Sequence, residues 1–488
     1  MRCGNHQVGT LTWALPTSLP KRRAFPSLLA WTLRAAISLA LAAIAMAGRA
    51  FPQSKPILLQ PEVQYQRMDG FGVTLGNGAA REILELPEAE KAKLMDLLFG
   101  AEGTHFNLIR NEISWSARRL PMTHAMSLRG VPFAFAEDAE ETRQFSLLRE
   151  AQKRNQVSSY SCAWSPPPLW KSNLSETGGG ELSAPHVEDF ASYLETYLVF
   201  YKGLRFLEIP FLSFQNSPQS AAPFQSCLWS PEQTRNFLKL LVRQCQQKGL
   251  RTQFVLPELD WGSLLGYLDP ILEDPEVRPA VSVVAAHSYT GDNKDRAKVK
   301  ALSKKYSLKL WQTEFALSPA QEISGINEGL KLGRQILDDL IQAESQAWYY
   351  WVPLASPAWK DRLPLLERDG PSLKFTKRFW SLAQFSRFIS RDSVRILANG
   401  GSSPVIAFRN PGYNGVVLVL LNEADQSVDE TLQTRGWNLE RITIYRTSKQ
   451  EDCSLVPTAG ESGSKVSLTL APRSITTMVA QIRRLPSD

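Results

Sequence analysis

In this chain, groups able to do chemistry recur at the ends of short apolar runs. In order they are Arg110-Asn111, Trp164-Ser165, Gln215-Asn216-Ser217, Glu258 with Asp260, His287 with Tyr289, Glu314, and Trp351. The set holds one well-placed carboxylate, several amide or basic donors, and many tryptophans. Polar donors and flat apolar rings suit a sugar, which is apolar on its faces and hydrogen-bonding at its rim. Other chemistries lack their residues. There is no defensible Ser-His-Asp order, and no Gly-rich phosphate loop precedes a helix. His105, His124, His186 and His287 are scattered without metal-ligand spacing, so neither a metal nor another cofactor is expected. Cys162, Cys227, Cys245 and Cys453 show no CxxC spacing and allow three pairings, none of which the sequence selects.

The runs that carry these groups are Gly70–Thr74, Phe106–Ile113, Val157–Ala163, Phe211–Phe214, Thr252–Leu256, Val281–Ala286, Leu308–Thr313 and Ala347–Val352. Helical patterns separate successive runs. Pro87–Phe99 stops at Gly100, a common residue just past a helix. Ser230-Pro231 sets a capping hydroxyl before a first-turn proline, and Phe237, Leu240, Leu241 and Cys245 then form one apolar stripe. His186–Tyr201 and Asn327–Ala343 read similarly, and a helix near Lys374–Ile389 ends the alternation. Strands alternating with helices imply a parallel sheet, and eight strands close a (β/α)8 TIM barrel over residues 70–390. Reacting groups in such a barrel lie at the C-terminal ends of the strands, where the loops converge.

Beyond Val394 the texture changes to short alternating strands with turn signals such as Asn399-Gly400-Gly401 and Asn414-Gly415. Residues 391–488 therefore read as an attached C-terminal β-sandwich, and the extended stretch within 51–69 is expected to add a strand to it. Residues 1–50 read as a leader. Lys21-Arg22-Arg23 precedes an uncharged Ala/Leu-rich run, Ala35 to Ala47, ending in the small-x-small pattern Ala45-Met46-Ala47. That run is short for a ~30 Å hydrocarbon core, so a cleaved signal is expected rather than a retained anchor. Arg22-Arg23-Ala24-Phe25 also resembles a twin-arginine signal. The expected location is periplasmic or extracellular, without stable membrane insertion after cleavage. The formal charge of +7 includes six positive groups in this leader, which has no Asp or Glu, so +1 remains and a nucleic-acid partner is not supported.

A resemblance emerges from the motifs taken in order. They are Asp69-Gly70-Phe71-Gly72, Trp164-Ser165-Pro166-Pro167 continuing to Trp170-Lys171-Ser172-Asn173, Gln215-Asn216-x-Pro218, Ser226-Cys227-Leu228-Trp229, His287-x-Tyr289 and Trp311-Gln312-Thr313-Glu314. Phe385-Ser386-Arg387-Phe388-Ile389 and Pro472-x-Ser474 follow. This pattern resembles glycoside hydrolase family 30, which includes glucosylceramidases, xylanases and β-1,6-glucanases. The resemblance implies retaining hydrolysis by two carboxylates roughly 5–5.5 Å apart, one nucleophile and one acid/base. It puts the nucleophile at Glu314 and the acid/base after Asn216, where this chain has Ser217. A serine hydroxyl titrates far above neutrality, so it neither protonates a leaving alkoxide nor deprotonates water at useful rates. Asn77 lies where relatives tend to carry Asp, and Asn111–Arg119 lacks an Asp that glucosylceramidase-like members place near the sugar.

Each site residue has a plainer alternative. Glu314 could be a structural carboxylate paired with a cation, and Arg110 either orients it or serves as a barrel-interior ion-pair partner. Asn216 is a donor to a sugar 2-hydroxyl or a turn asparagine before proline. His287 and Tyr289 border substrate or pack as core, and Trp164, Trp311 and Trp351 are pocket walls or core. Glu258, Asp260, Glu176 and Glu181 are the weaker candidates for a displaced acid. Two functions follow. One is an exported β-glycoside hydrolase acting on a carbohydrate or glycoconjugate with altered acid/base chemistry; the other is a carbohydrate-binding pseudoenzyme.

Overall fold

The computed structural model describes residues 55–114 and 139–486, apart from 322, 357–358, 360, 413 and 458–461. The expected leader lies outside the described residues. After strand β1 (Ile57–Arg67), eight parallel strands close a barrel in chain order. They are β2 (Gly70–Thr74), β3 (Leu108–Glu112), β4 (Ser158–Cys162), β5 (Phe211–Ser213), β6 (Gln253–Asp260), β7 (Val281–His287), β8 (Lys309–Glu314) and β9 (Ala347–Tyr350). β2 pairs with both β3 and β9, which shuts the ring. Strands covered by helices outside and packed side chains inside read as continuous apolar runs rather than alternating ones. Every residue of β2, β3 and β9 is buried.

Gly70 opens β2 at φ 140, a backbone region that excludes most side chains. The Asn107 side chain explains the choice. Its Oδ1 accepts the Phe71 N–H at 3.0 Å, and a Cβ on Gly70 would sit 1.9 Å from that oxygen.

The helices follow their capping chemistry. Pro231–Gln247 begins with a reciprocal capping box in which Ser230 and Gln233 exchange side-chain and backbone hydrogen bonds. Its buried stripe is Phe237, Leu238, Leu241, Val242 and Cys245, whereas Leu240 is only partly buried. The helix near Lys374–Ile389 proves to be Lys377–Ser386. The residues before it form a hairpin, β10 (Leu366–Asp369) with β11 (Ser372–Phe375), turning at Gly370-Pro371. That Gly-Pro pair is a turn signal the sequence reading did not use, and the expected helix overlapped only the last residues of the hairpin.

The C-terminal strands are β12 (Val394–Asn399), β13 (Val405–Asn410), β14 (Gly415–Asn422), β15 (Val428–Thr434), β16 (Trp437–Thr447), β17 (Ser454–Val456), β18 (Lys465–Leu470) and β19 (Ser474–Arg484). With β1 they form one sheet ordered β17-β16-β19-β14-β13-β12-β1-β15-β18. β1 lies antiparallel to β12 and parallel to β15, so the segment preceding the barrel closes the sandwich. Along β18, Val466, Leu468 and Leu470 are buried and their neighbours exposed, the two-residue period of a strand facing a core on one side. The core of this sandwich includes Ile57, Leu59, Leu418, Leu432 and Met478.

Among the described residues, no helix is long and apolar enough to cross a membrane. Cys162, Cys227, Cys245 and Cys453 are buried free thiols, so none of the three pairings is formed.

Candidate active site

Three barrel-end residues carry left-handed backbone: Asn77 at φ 54, Ser217 at φ 46 and Glu258 at φ 61. Such conformations cost roughly 1–3 kcal/mol in non-glycine residues and persist only where surrounding structure dictates them. At Glu258 the cause is visible. A register shift between Pro257 and Leu259 carries β6 past the expected end at Leu256 and turns the carboxylate into the barrel. The Ser217 N–H donates to the Glu258 carbonyl at 2.9 Å, tying the end of the β5 loop to that bulge.

Inside the barrel mouth one cation organises two carboxylates. Arg110, on β3, is fully buried; its Nη1 donates to Glu314 Oε2 at 2.5 Å. Its Nη2 donates to Asn216 Oδ1 at 2.6 Å and lies 3.3 Å from Glu258 Oε2. The guanidinium stacks 4.3 Å from the centre of the Trp164 ring, which supports it from one side. Glu258 also accepts from Tyr160 at 3.1 Å and Thr313 at 2.6 Å, and meets His287 Nε2 at 3.2 Å. Glu314 Oε1 accepts the Tyr289 hydroxyl at 3.0 Å, so both oxygens of Glu314 are held.

The electrostatics follow from this enclosure. Burial pushes the Glu258 carboxyl up, but Arg110 with the bonds from His287 and Thr313 more than reverses it, leaving it below the usual range. Burial pulls the His287 imidazole down, yet the carboxylates of Glu314 and Glu258 outweigh it and hold its pKa above the ordinary value. Burial, with Glu314 alongside, raises the Tyr289 phenol well above its usual range, so the hydroxyl stays a donor.

A cavity of about 530 Å³ opens above this cluster. Trp164, Ser217, Tyr289, Glu314 and Trp351 all line it, and Asp260 does too. Arg110, Asn216 and His287, expected to bind substrate, are at most 2% exposed. They lie beneath the cavity and act on Glu314 and on one another. The bond from Arg110 assigns Asn216 Oδ1 as acceptor, which leaves the amide nitrogen as its donor.

Trp311 requires a correction. It sits three residues before Glu314, and at ~3.3 Å per residue that places it about 10 Å below the mouth. Its Nε1 donates to Asp69 Oδ2 at 2.8 Å, its ring packs against Phe211, and it does not line the cavity. Glu258 is equally unsuited to reach a ligand, being fully enclosed. Glu176 and Glu181 lie off the cavity lining and accept from Gln225 and Gln233. Of the stretch Asn111–Arg119, positions 115–119 fall outside the described residues.

The cavity also has a wall that sequence reading missed: Phe224, Trp359, Asp361 and Arg362. Trp359-Lys360-Asp361-Arg362 follows the last barrel strand, so continuing past Trp351 into that loop would have found it. Another missed group is Glu112, two residues beyond Arg110 on the same face of β3. Its Oε2 accepts the Asn77 N–H at 2.5 Å. Burial pushes its pKa from 4.5 to about 7, with Glu140 and Glu176 adding to the rise against the Asn77 bond.

That shift makes a prediction. Between pH 4.5 and about 7 the folded chain keeps a proton on Glu112 that the unfolded chain has released. Stability from this group is therefore present at low pH and lost as pH rises through that window, by about 3 kcal/mol in all. Glu112→Gln, whose amide oxygen can still accept from Asn77, is expected to remove that slope and to stabilise the protein at pH 8. Thermal melts of both proteins from pH 4 to 8 check this; parallel curves would refute it.

Comparison with known proteins agrees with this architecture. A family model for the glycosyl hydrolase family 30 TIM-barrel domain matches residues 68–345, more than half of the chain. A second, for the family 30 beta sandwich domain, matches residues 392–478. The chain is 25% identical over 422 residues to lysosomal acid glucosylceramidase of Mus musculus, covering 77% of this chain and 79% of that protein. It is 24% identical over 332 residues to glucuronoxylanase XynC of Bacillus subtilis, covering 66% and 73%. Its fold matches the catalytic domain of the GH30 xylanase C from Talaromyces cellulolyticus with TM-score 0.71 at 21% identity, over 88% of this chain and all of that one. With the barrel and the sandwich each matched in their observed positions, the chain belongs to glycosyl hydrolase family 30.

Proposed function

We propose that the protein is an exported, retaining β-glycoside hydrolase in which Glu314 is the nucleophile and Ser217 occupies the acid/base position. One observation carries the reading. Of the carboxylates bordering the cavity, Glu314 is the one held from below by a buried cation and from the side by a phenol. Arg110 and Tyr289 fix its two oxygens so that one can approach an anomeric carbon, and Asn216 braces Arg110 beneath it. In the first step a Glu314 oxygen bonds the anomeric carbon as the glycosidic C–O bond breaks. In the second, water attacks that carbon and frees the carboxylate.

Ser217 lines the same cavity, consistent with its place in the Gln-Asn-x-Pro motif. Without a carboxylic acid there, both steps forgo assistance typically worth 10²–10⁴-fold, about 3–5 kcal/mol of barrier. The loss falls on sugar alcohols, which leave poorly without a proton. Tryptophan walls and amide donors favour a carbohydrate or glycoconjugate substrate. The leader pattern of residues 1–50 favours export.

Aryl β-glycosides assayed with and without azide test the reading. Azide attacks the glycosyl–Glu314 bond without needing a base, so faster turnover and a β-configured glycosyl azide are expected. Ser217 also favours a second reading, a carbohydrate-binding pseudoenzyme. Saturable oligosaccharide binding with no aryl glycoside turned over under either condition would establish that alternative.

A further inference from the structure

One wall of the cavity is aromatic. Trp351 and Trp359 stack with ring centres 5.7 Å apart and planes 23° from parallel. Phe224 stands 37% exposed on the cavity lining, beside Pro223. Among the described residues lining the cavity, Arg362 supplies the one guanidinium. Arg362 lies 4.6 Å above the Tyr289 ring; its Nη1 donates to the Asp361 carbonyl at 2.8 Å, and Asp361 Oδ2 is 4.0 Å away, the limit of an ion pair. Its charge pulls on the same phenol whose hydroxyl bonds Glu314, against burial and the Glu314 charge. A cation and aromatic rings lining the same cavity as the nucleophile, with Ser217 rather than a carboxylic acid after Asn216, match a leaving group that is flat and departs with its negative charge.

We infer that this site cleaves aryl β-glycosides whose phenolic oxygen leaves as a phenolate received by Arg362 between the rings of Phe224, Trp351 and Trp359. The inference rests on Glu314 acting as nucleophile. When the Glu314 oxygen bonds the anomeric carbon, the electron pair of the breaking glycosidic bond goes to the aryl oxygen. That oxygen takes no proton from the protein. A free phenol has a pKa of about 10, so its anion leaves unaided far more readily than an alkoxide. The guanidinium stabilises the charge where it develops, and the rings hold the aromatic plane. Water then attacks the anomeric carbon, the bond to Glu314 breaks, and the water's proton passes to solvent. The aryl product later takes its proton from water.

The test is kcat/KM across aryl β-glycosides graded in phenol acidity, measured for the wild type, Arg362→Ala and Arg362→Lys. For the wild type a fall of roughly tenfold per unit of phenol pKa is expected. Arg362→Ala should lose about 10²-fold on the less acidic phenols, and Arg362→Lys should recover most of it. A lysine rescue separates charge from folding. A flat response to phenol acidity, or an alanine variant on the wild-type line, overturns the inference alone if a 2-fluoro glycosyl fluoride still labels Glu314 in the wild type. Absence of that label overturns the hydrolase reading beneath it.

Discussion

Ser217→Glu is expected to raise kcat/KM on unactivated oligosaccharides by about 10²–10⁴-fold, the usual worth of a positioned general acid. The position already tolerates a side chain at φ 46, and its backbone N–H is held by the Glu258 carbonyl, so the exchange need not move the loop. The longer carboxylic acid would enter the cavity that Glu314 borders. The gain should shrink on aryl glycosides with acidic phenols, whose departure needs no proton. A bell-shaped pH profile should also appear, with the added carboxyl defining its alkaline limb. Initial rates on oligosaccharide and aryl substrates across pH check all three features. An unchanged rate on oligosaccharides would mean that the site lacks more than the carboxylic acid at position 217.

The second large effect concerns stability. Arg110→Met is expected to cost about 3–5 kcal/mol in denaturant unfolding at neutral pH, because it leaves buried carboxylates without their cation. Glu258 is fully enclosed and Glu314 nearly so, and of their shared partners His287, whose pKa these carboxylates hold above its ordinary value, is the remaining group able to carry a positive charge. The pH dependence has a definite sign. In the wild type, Glu258 has a folded pKa below its unfolded one. Its contribution is therefore present above the unfolded value and lost as pH falls through the folded value. Removing Arg110 lets burial push that carboxyl up instead, so the variant's deficit should narrow on acidification. A variant as stable as the wild type at pH 7 would mean that this cluster does not bear on folding.

The barrel is legible because buried parallel strands tend to appear as short apolar or β-branched runs between helices, and each expected run overlaps an observed strand. What escaped depends on partners rather than on local pattern. The extension of β6 to Asp260 comes from a bulge against β7, which no single strand announces. The stripe on helix Pro231–Gln247 runs through Leu238 and Val242 rather than Leu240, since the neighbouring elements decide which apolar side is covered. The hairpin of β10 and β11 lies mostly between the last barrel strand and the expected helix, where no element was expected, despite its Gly-Pro turn.

Barrel geometry also explains which site residues could be located from sequence. Strand ends converge, so Trp164, Ser217, Tyr289, Glu314 and Trp351 meet in one cavity. Depth is another matter. A motif does not say how far a side chain lies beneath the surface, and so Arg110 and His287 appeared as ligand contacts although they are buried under Glu314. Trp311 shares a motif with Glu314 yet packs far below it. Arg362 and Trp359 belong to a loop beyond the last strand, where periodicity gives no guidance.

The account turns on covalent chemistry at Glu314. Incubation with a 2-fluoro β-glycosyl fluoride, followed by peptide mass spectrometry, tests it most directly, since the fluorine slows the second step and the activated leaving group needs no acid. One glycosyl adduct is expected, on the peptide containing Trp311–Glu314 and lost in Glu314→Gln. An unlabelled protein, or an adduct on another residue, would contradict it.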